Sequence, residues 1–152
     1  MFEYILMILL ALTPGIEARG AYPMAFYLGL LNPYTYLLIY VFSSFPSIPI
    51  IYGLKWVERK LIIKSGLLAR IYTKILERVR RKSVKVSKYK VVYVGLILYV
   101  AVPLPLTGVW TGSLIAYLMD LDKKRSIIAV FIGNLIACTI IYLTLFTPQL
   151  LR

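Results

Sequence analysis

Apolar residues come in blocks along this chain, and the length of each block is the first constraint on the fold. Residues 5–12 are continuously apolar, and Thr13-Pro14-Gly15 then interrupts them. At ~1.5 Å per residue a helix of about thirteen residues reaches about 20 Å, against a bilayer hydrocarbon core of about 30 Å, so it cannot span. A second apolar arm, 21–31, ends at the turn signal Asn32-Pro33. Two half-length arms around a Pro-Gly break predict a re-entrant hairpin over residues 1–33. Such irregular backbone is tolerated at membrane depth only where protein buries it or it lines a water-filled cavity.

Residues 34–56 are long enough to cross, although Ser43-Ser44-Phe45-Pro46-Ser47-Ile48-Pro49 interrupts them. The prolines predict a kink near mid-depth, with the serines satisfying freed carbonyls. A further short apolar arm, 91–102, breaks at Pro103-Leu104-Pro105-Leu106-Thr107-Gly108 and returns over 109–119, which predicts a second hairpin over 91–120. After Asp120-Leu121-Asp122-Lys123-Lys124-Arg125, residues 126–146 form a second span, leaving Thr147-Pro148 and Arg152 on the far side. In the intervening segment, 57–90, Leu67, Ile71, Ile75 and Val79 recur every four residues, with Arg70, Lys74, Arg78 and Arg81 on the other side. This pattern predicts an amphipathic helix on the cytoplasmic surface whose cations contact anionic lipid headgroups at about 1 kcal/mol each. An ordinary positive-inside loop is the plainer alternative.

Composition turns these blocks into a class. Of 152 residues, 61% are hydrophobic, more than a soluble domain carries, so the chain reads as one all-α integral membrane domain. Eighteen Lys and Arg face six Asp and Glu, and thirteen of the basic residues lie between Lys55 and Lys90 with only Glu58 and Glu77. In an obvious membrane protein such a run points to lipid and not to nucleic acid. The start Met1-Phe2-Glu3-Tyr4 lacks the basic region of a signal peptide and is expected to stay in the mature chain. With no histidine and a lone Cys138, neither a metal site nor a cofactor is expected, and acid/base enzymology is hard to assemble.

Charge also orients the blocks. Lys123, Lys124 and Arg125 should share the cytoplasm with the 55–90 segment, which a single crossing by 91–119 would prevent. A hairpin that enters and leaves from the cytoplasm removes the conflict, and the first hairpin then enters from outside. The order hairpin, span, basic linker, hairpin, span repeats with a period of about ninety residues, an inverted repeat of the kind found in many secondary transporters. Registration at offset ninety sets Ser43-Ser44 against Gly133-Asn134. Asn134 is costly in lipid and is expected to face the interior, either as a hydrogen bond across the bundle or as a substrate contact.

Candidate chemistry sits at the two tips. Glu17 and Arg19 each cost about 2.5–3.5 kcal/mol at the centre of a bilayer on insertion scales. The return arms are expected to begin at Gly20-Ala21-Tyr22-Pro23 and at Thr107-Gly108-Val109-Trp110, with Pro23 in an early helical position. Two half-helix N-termini meeting near the midplane beside Arg19 would form a site for an anion such as a phosphate or carboxylate. Glu17 is then either the ion-pair partner of Arg19 or the protonatable group that couples transport to a proton gradient. Buried pairs are poor stabilisers and membrane carboxylates mark pathways, which favours function. The candidate site comprises Pro14, Gly15, Glu17, Arg19, Gly20, Pro103, Pro105, Thr107, Gly108, Trp110 and Asn134. Trp110 and Tyr22 read equally as packing residues or gates.

The tips Pro14-x-x-Glu17-x-Arg19-Gly20-x-x-Pro23 and Pro103-x-Pro105-x-Thr107-Gly108-x-Trp110-Thr111-Gly112 resemble the small multi-drug export protein family of prokaryotic membrane proteins. That family in turn resembles, distantly, the DedA/VTT superfamily, whose members have re-entrant hairpins and are linked to flipping of polyprenyl phosphates and phospholipids. The resemblance implies that Glu17 and Arg19 match the charged positions of the first hairpin, and that the chain resides in a prokaryotic plasma membrane. The second tip carries no charge, a departure from the DedA pattern, which has further arginines there. The expectation is a small secondary transporter or lipid translocase, proton-coupled through Glu17, for an amphipathic or anionic, phosphate-bearing lipid substrate. One alternative is an exporter of cationic compounds, which needs Glu17 free of Arg19. The other is a non-transporting assembly or lipid-organising protein acting through its basic helix. Two full spans leave little protein to bury two tips, so a homodimer is expected to supply the missing walls.

Overall fold

The computed structural model of the protein describes residues 2–54, 90–104 and 107–150, with side chains through 147. The expected amphipathic helix with Arg70, Lys74, Arg78 and Arg81 lies outside the described residues, as does Pro105. Every described element is helical: α1 (Phe2–Leu12), α2 (Glu17–Tyr27), α3 (Pro33–Ser44), α4 (47–54), α5 (Lys90–Ala101), α6 (Val109–Leu118) and α7 (Lys123–Leu150).

Among the described residues, two helical segments are long and apolar enough to cross a bilayer, Pro33–Leu54 with 22 residues and Lys123–Thr147 with 25. The first is α3 and α4 with a one-turn interruption at Phe45-Pro46, where proline withholds an N–H from the ladder. Ser43 Oγ donates to the Tyr40 carbonyl at 3.2 Å and Ser47 Oγ to that of Ser44 at 2.8 Å, so the serines serve backbone carbonyls at the interruption, though not those of Phe42 and Phe45 that Pro46 and Pro49 deprive of a donor. Helices α1, α2, α5 and α6 have 11, 11, 12 and 10 residues respectively, about 15–18 Å of helix, too short to cross.

The two long segments run antiparallel. Lys123 Nζ lies 4.6 Å from the Tyr52 ring centroid, Asn134 meets Ser43 and Ser44 midway, and Tyr36 OH lies 2.9 Å from Thr139 Oγ1 towards the other end. Each short pair of helices folds back as a hairpin. The Tyr4 ring packs edge-on against Tyr34, placing the start of α1 with the start of α3. The Asp122 amide donates to Tyr93 OH at 3.2 Å, bringing the start of α5 to the end of the α6 return. The hairpins therefore approach from opposite ends of the long pair, and their tips meet between.

Both return arms stop by the same device. The Leu30 amide reaches the Ala25 carbonyl at 2.9 Å with Gly29 at φ +67°, and the Leu121 amide reaches that of Ala116 at 3.1 Å with Asp120 at φ +50°. An N-cap follows each: Asn32 Oδ1 accepts from the Thr35 amide and Asp122 Oδ1 from that of Arg125, both at 2.9 Å. The Asp122 cap explains why α7 begins at Lys123, three residues before the expected start of the span.

Burial divides into two apolar clusters. Met7, Ala11, Tyr22, Ile39 and Cys138 anchor one, and Leu96, Val100, Val109, Ala129 and Val130 the other. Between α5 and α7 the backbones come close: a Cβ at Gly133 would stand 2.7 Å from the Ile97 carbonyl oxygen. Small residues at such crossings are the usual means of tight packing where lipid supplies no hydrophobic drive.

One expectation fails in detail. The first return arm begins at Glu17, not at Gly20, because the break is a single turn: Gly15 at φ +84° lets the Glu17 amide bond back to the Thr13 carbonyl at 3.1 Å. Pro23 consequently lies well inside α2 and has no N–H to give the Arg19 carbonyl.

Candidate functional site

Glu17 is the first residue of α2, 2% exposed, and its backbone takes φ +50°. A left-handed conformation costs a non-glycine residue about 1–2 kcal/mol, and such strain gathers where surroundings over-determine it. Here the surroundings are the second hairpin. Glu17 Oε2 accepts from the Val109 amide at 2.9 Å, and Oε1 from the Trp110 amide at 3.2 Å.

These amides open α6, whose N-cap residue Gly108 has no side chain to offer. An ordinary helix takes its cap from its own chain neighbourhood. This one takes it from the other hairpin. A Cβ on Gly108 would overlap the Glu17 carboxylate and Arg19 Nη1, so the close approach requires glycine.

Arg19 completes the junction. Its Nη1 donates to Glu17 Oε2 at 3.1 Å, while Nη2 donates to the Val102 carbonyl at 2.9 Å and Thr107 Oγ1 at 3.2 Å, with the Val100 carbonyl at 3.4 Å. Thr107 Oγ1 lies 2.8 Å from the carbonyls of both Val102 and Leu104 and gives its one proton to either. Val100 lies in the last turn of α5 and Val102 just past its end. The carboxylate thus meets the positive end of α6 and the guanidinium the negative end of α5, each favourable by about 0.3–1 kcal/mol and up to ~2 in partly buried geometry. The ion pair of the first hairpin caps both sides of the break in the second.

Two buried donors in this junction are unpaired. Arg19 Nε and Trp110 Nε1 have no hydrogen-bond partner among the described residues, although both belong to residues that hold Glu17. A buried N–H left so costs about 1–3 kcal/mol, which an acceptor oxygen would recover.

The remaining candidates fall into groups. Pro14 and Gly15 form the exposed turn before Glu17, and Gly20 sits against Ile16 on α2. Pro103 is exposed in the second break, and Trp110 is half-buried behind the Glu17 contact. Asn134 lies apart from the tips, between the long helices: its Nδ2 donates to Ser43 Oγ and Ser44 Oγ at 2.9 Å each, and its Oδ1 faces Cys138 Sγ at 3.7 Å. Tyr22 is fully buried, packed on Tyr36 and Tyr142 with its hydroxyl on the Tyr36 carbonyl, which makes it a packing residue. No three His, Cys, Asp or Glu side chains gather among the described residues.

Sequence reasoning did not find the backbone groups that receive the pair: the Val109 and Trp110 amides and the Val100 and Val102 carbonyls. A signal did exist, since Gly108 stands where a capping side chain is expected and the nearest charges in a tip are those of the other hairpin.

Comparison with known families gives a match. Residues 17–140 match the family described as "Putative small multi-drug export protein", a stretch that begins at Glu17, past Pro14 and Gly15, and takes in the rest of the first tip, the second tip, the first long segment and most of the second. No curated protein and no solved structure matches the chain.

Proposed function

Because the chain belongs to the small multi-drug export protein family, we propose that it is a membrane transporter whose moving part is the Glu17–Arg19 junction between the hairpin tips. The family description implies an exporter rather than an enzyme. The observation that carries the reading is a single carboxylate bound at once to two amides and a guanidinium of opposed elements.

The hairpins are re-entrant in this reading. Their arms are too short to cross, and each leaves at the end where it began. The two halves form an inverted repeat about an axis in the membrane plane. In support, positions about ninety apart touch, Ser44 with Asn134 and Glu17 with Val109, as related positions do on a two-fold axis. Lys90, Lys123, Lys124 and Arg125 share one end of the bundle, the cytoplasmic end by the positive-inside rule, in a prokaryotic plasma membrane. A homodimer supplies the walls that two long helices cannot.

Protonation of Glu17 is the coupling step. A neutral carboxyl no longer balances Arg19 and is a weaker acceptor for the Val109 and Trp110 amides, so the tips part; loss of the proton closes them. Opening exposes a helix N-terminus, Arg19 and the spare N–H groups of Arg19 and Trp110, which are donors, across from the Val100 and Val102 carbonyls that Arg19 leaves. The cationic first tip suits an amphipathic substrate with acceptor oxygens, and a phosphate-bearing lipid is the first candidate, in keeping with the family's distant resemblance to the DedA/VTT superfamily, from which the uncharged second tip departs. Export of a cation requires Glu17 released from Arg19, which the 3.1 Å pair opposes.

Proteoliposomes test this. Labelled polyprenyl phosphate should move under an imposed pH gradient with the native chain and not with Glu17→Gln or Arg19→Ala. Movement that is the same in all three would refute the assignment of the junction.

A further inference from the structure

Away from the tips, a groove of about 370 Å³ runs between α5 and α7, lined by Lys90, Tyr93 and Ile97 on one side and Arg125, Ile128 and Ile132 on the other, with Ala129 at its floor. The spacing is three to four residues on each helix, so each wall is one helical face. From Lys90 to Ile97 the groove descends about 10 Å along α5. Chemistry changes in step with depth: two cations at the rim, a phenol next, then isoleucines.

Among the described residues the rim cations are uncommitted. Neither Lys90 nor Arg125 has an acidic partner among the described residues, and Asp122 spends Oδ1 on the Arg125 amide. Tyr93 OH accepts from the Asp122 amide, which leaves its own proton to donate outward. Ile128 and Ile132, 58% and 42% exposed, leave the groove open along its side to the surrounding bilayer.

We infer that this groove binds one anionic phospholipid of the adjoining leaflet. Lys90, Arg125 and the Tyr93 hydroxyl take the headgroup phosphate, and an acyl chain lies along Ile97, Ile128 and Ile132. Charge complementarity selects this occupant, since a zwitterionic lipid neutralises its own phosphate and an uncharged amphiphile leaves both cations unmatched. The site is independent of the tip junction and would fix α5 against α7 at the membrane surface.

The test is a photocrosslink from p-benzoylphenylalanine at Ile132 in the full chain, reconstituted in phosphatidylcholine with roughly one part in ten phosphatidylglycerol, with adducts weighed by mass spectrometry. Phosphatidylglycerol adducts should exceed their bulk share about fivefold, an excess within reach of two near-surface charges. Lys90→Gln with Arg125→Gln should return the adducts to the bulk ratio, while Lys123→Gln with Lys124→Gln, an equal loss of charge outside the groove, should leave the excess. A bulk ratio in the native chain, an equal fall in both double variants, or adducts chiefly to a second copy of the protein would each overturn the assignment.

Discussion

The Glu17 carboxylate caps the helix that begins at Val109, 2.9 Å from an amide 92 residues further along the chain. One side chain of the first hairpin is thereby part of the backbone bonding of the second. The charges that looked expensive in an apolar chain are consumed by the helix ends that the second break creates, and neither break is complete without the other.

Gly108 should be intolerant of a side chain. Gly108→Ala places a methyl group on the Glu17 carboxylate and should destabilise the protein by at least about 1–3 kcal/mol, the range for overpacking a tight contact. Gly53→Ala, with nothing within 4 Å of the added carbon, should be neutral or stabilising by up to about 1 kcal/mol. Thermal unfolding in detergent compares the two. Equal shifts would show that the tip contact imposes no constraint.

Glu17 and Arg19 should be energetically coupled. Arg19→Ala leaves a buried carboxylate without its counter-charge and should cost about 3–5 kcal/mol, and Glu17→Gln combined with it should cost less than the sum, by about 0.5–3 kcal/mol. Arg19→Lys should not restore stability, because a single ammonium cannot reach Glu17, the Val102 carbonyl and Thr107 with the spread of a guanidinium. Additive losses in the cycle would separate the two residues.

Asn134 should join the long helices rather than serve the tips. Ser43→Ala and Ser44→Ala should each cost about 0.6 kcal/mol, the mean for an interhelical hydrogen bond in a membrane, and Asn134→Ala more than either because it removes both. An Asn134→Ala protein as stable as the native one, measured by unfolding in mixed micelles, would remove this contact from the account.

The topology makes a separate prediction. Single cysteines replacing Glu3, Pro33 and Asp122 in intact cells should label from outside, outside and inside, because each hairpin returns to the end it left. Glu3 and Pro33 labelling from opposite faces would mean that the first hairpin crosses the bilayer.

Much of this arrangement is legible in residue order. Pro14-Gly15 and Pro103 to Gly108 announce the breaks, block length separates short arms from long ones, and the offset of ninety pairs Ser44 with Asn134, which do meet. What residue order hides is backbone. The Val109 amide is chemically like any other, so nothing in its side chain marks it as the partner of Glu17. Placement of Glu17 at the head of α2 escaped notice because Pro23 suggested an early helical position, whereas the Gly15 turn restarts the helix sooner. The pair is accordingly visible in sequence as a charge problem, and its solution only in three dimensions.

Distance measurement across the tips tests the central claim most directly. Spin labels at Ile16 and Leu104, both exposed beside the junction, report its opening by double electron–electron resonance in reconstituted bilayers. The native chain should give one short, narrow distance distribution at neutral pH, and Glu17→Gln a longer or broader one under the same conditions. Identical distributions for the two proteins would contradict a junction held shut by the Glu17 carboxylate.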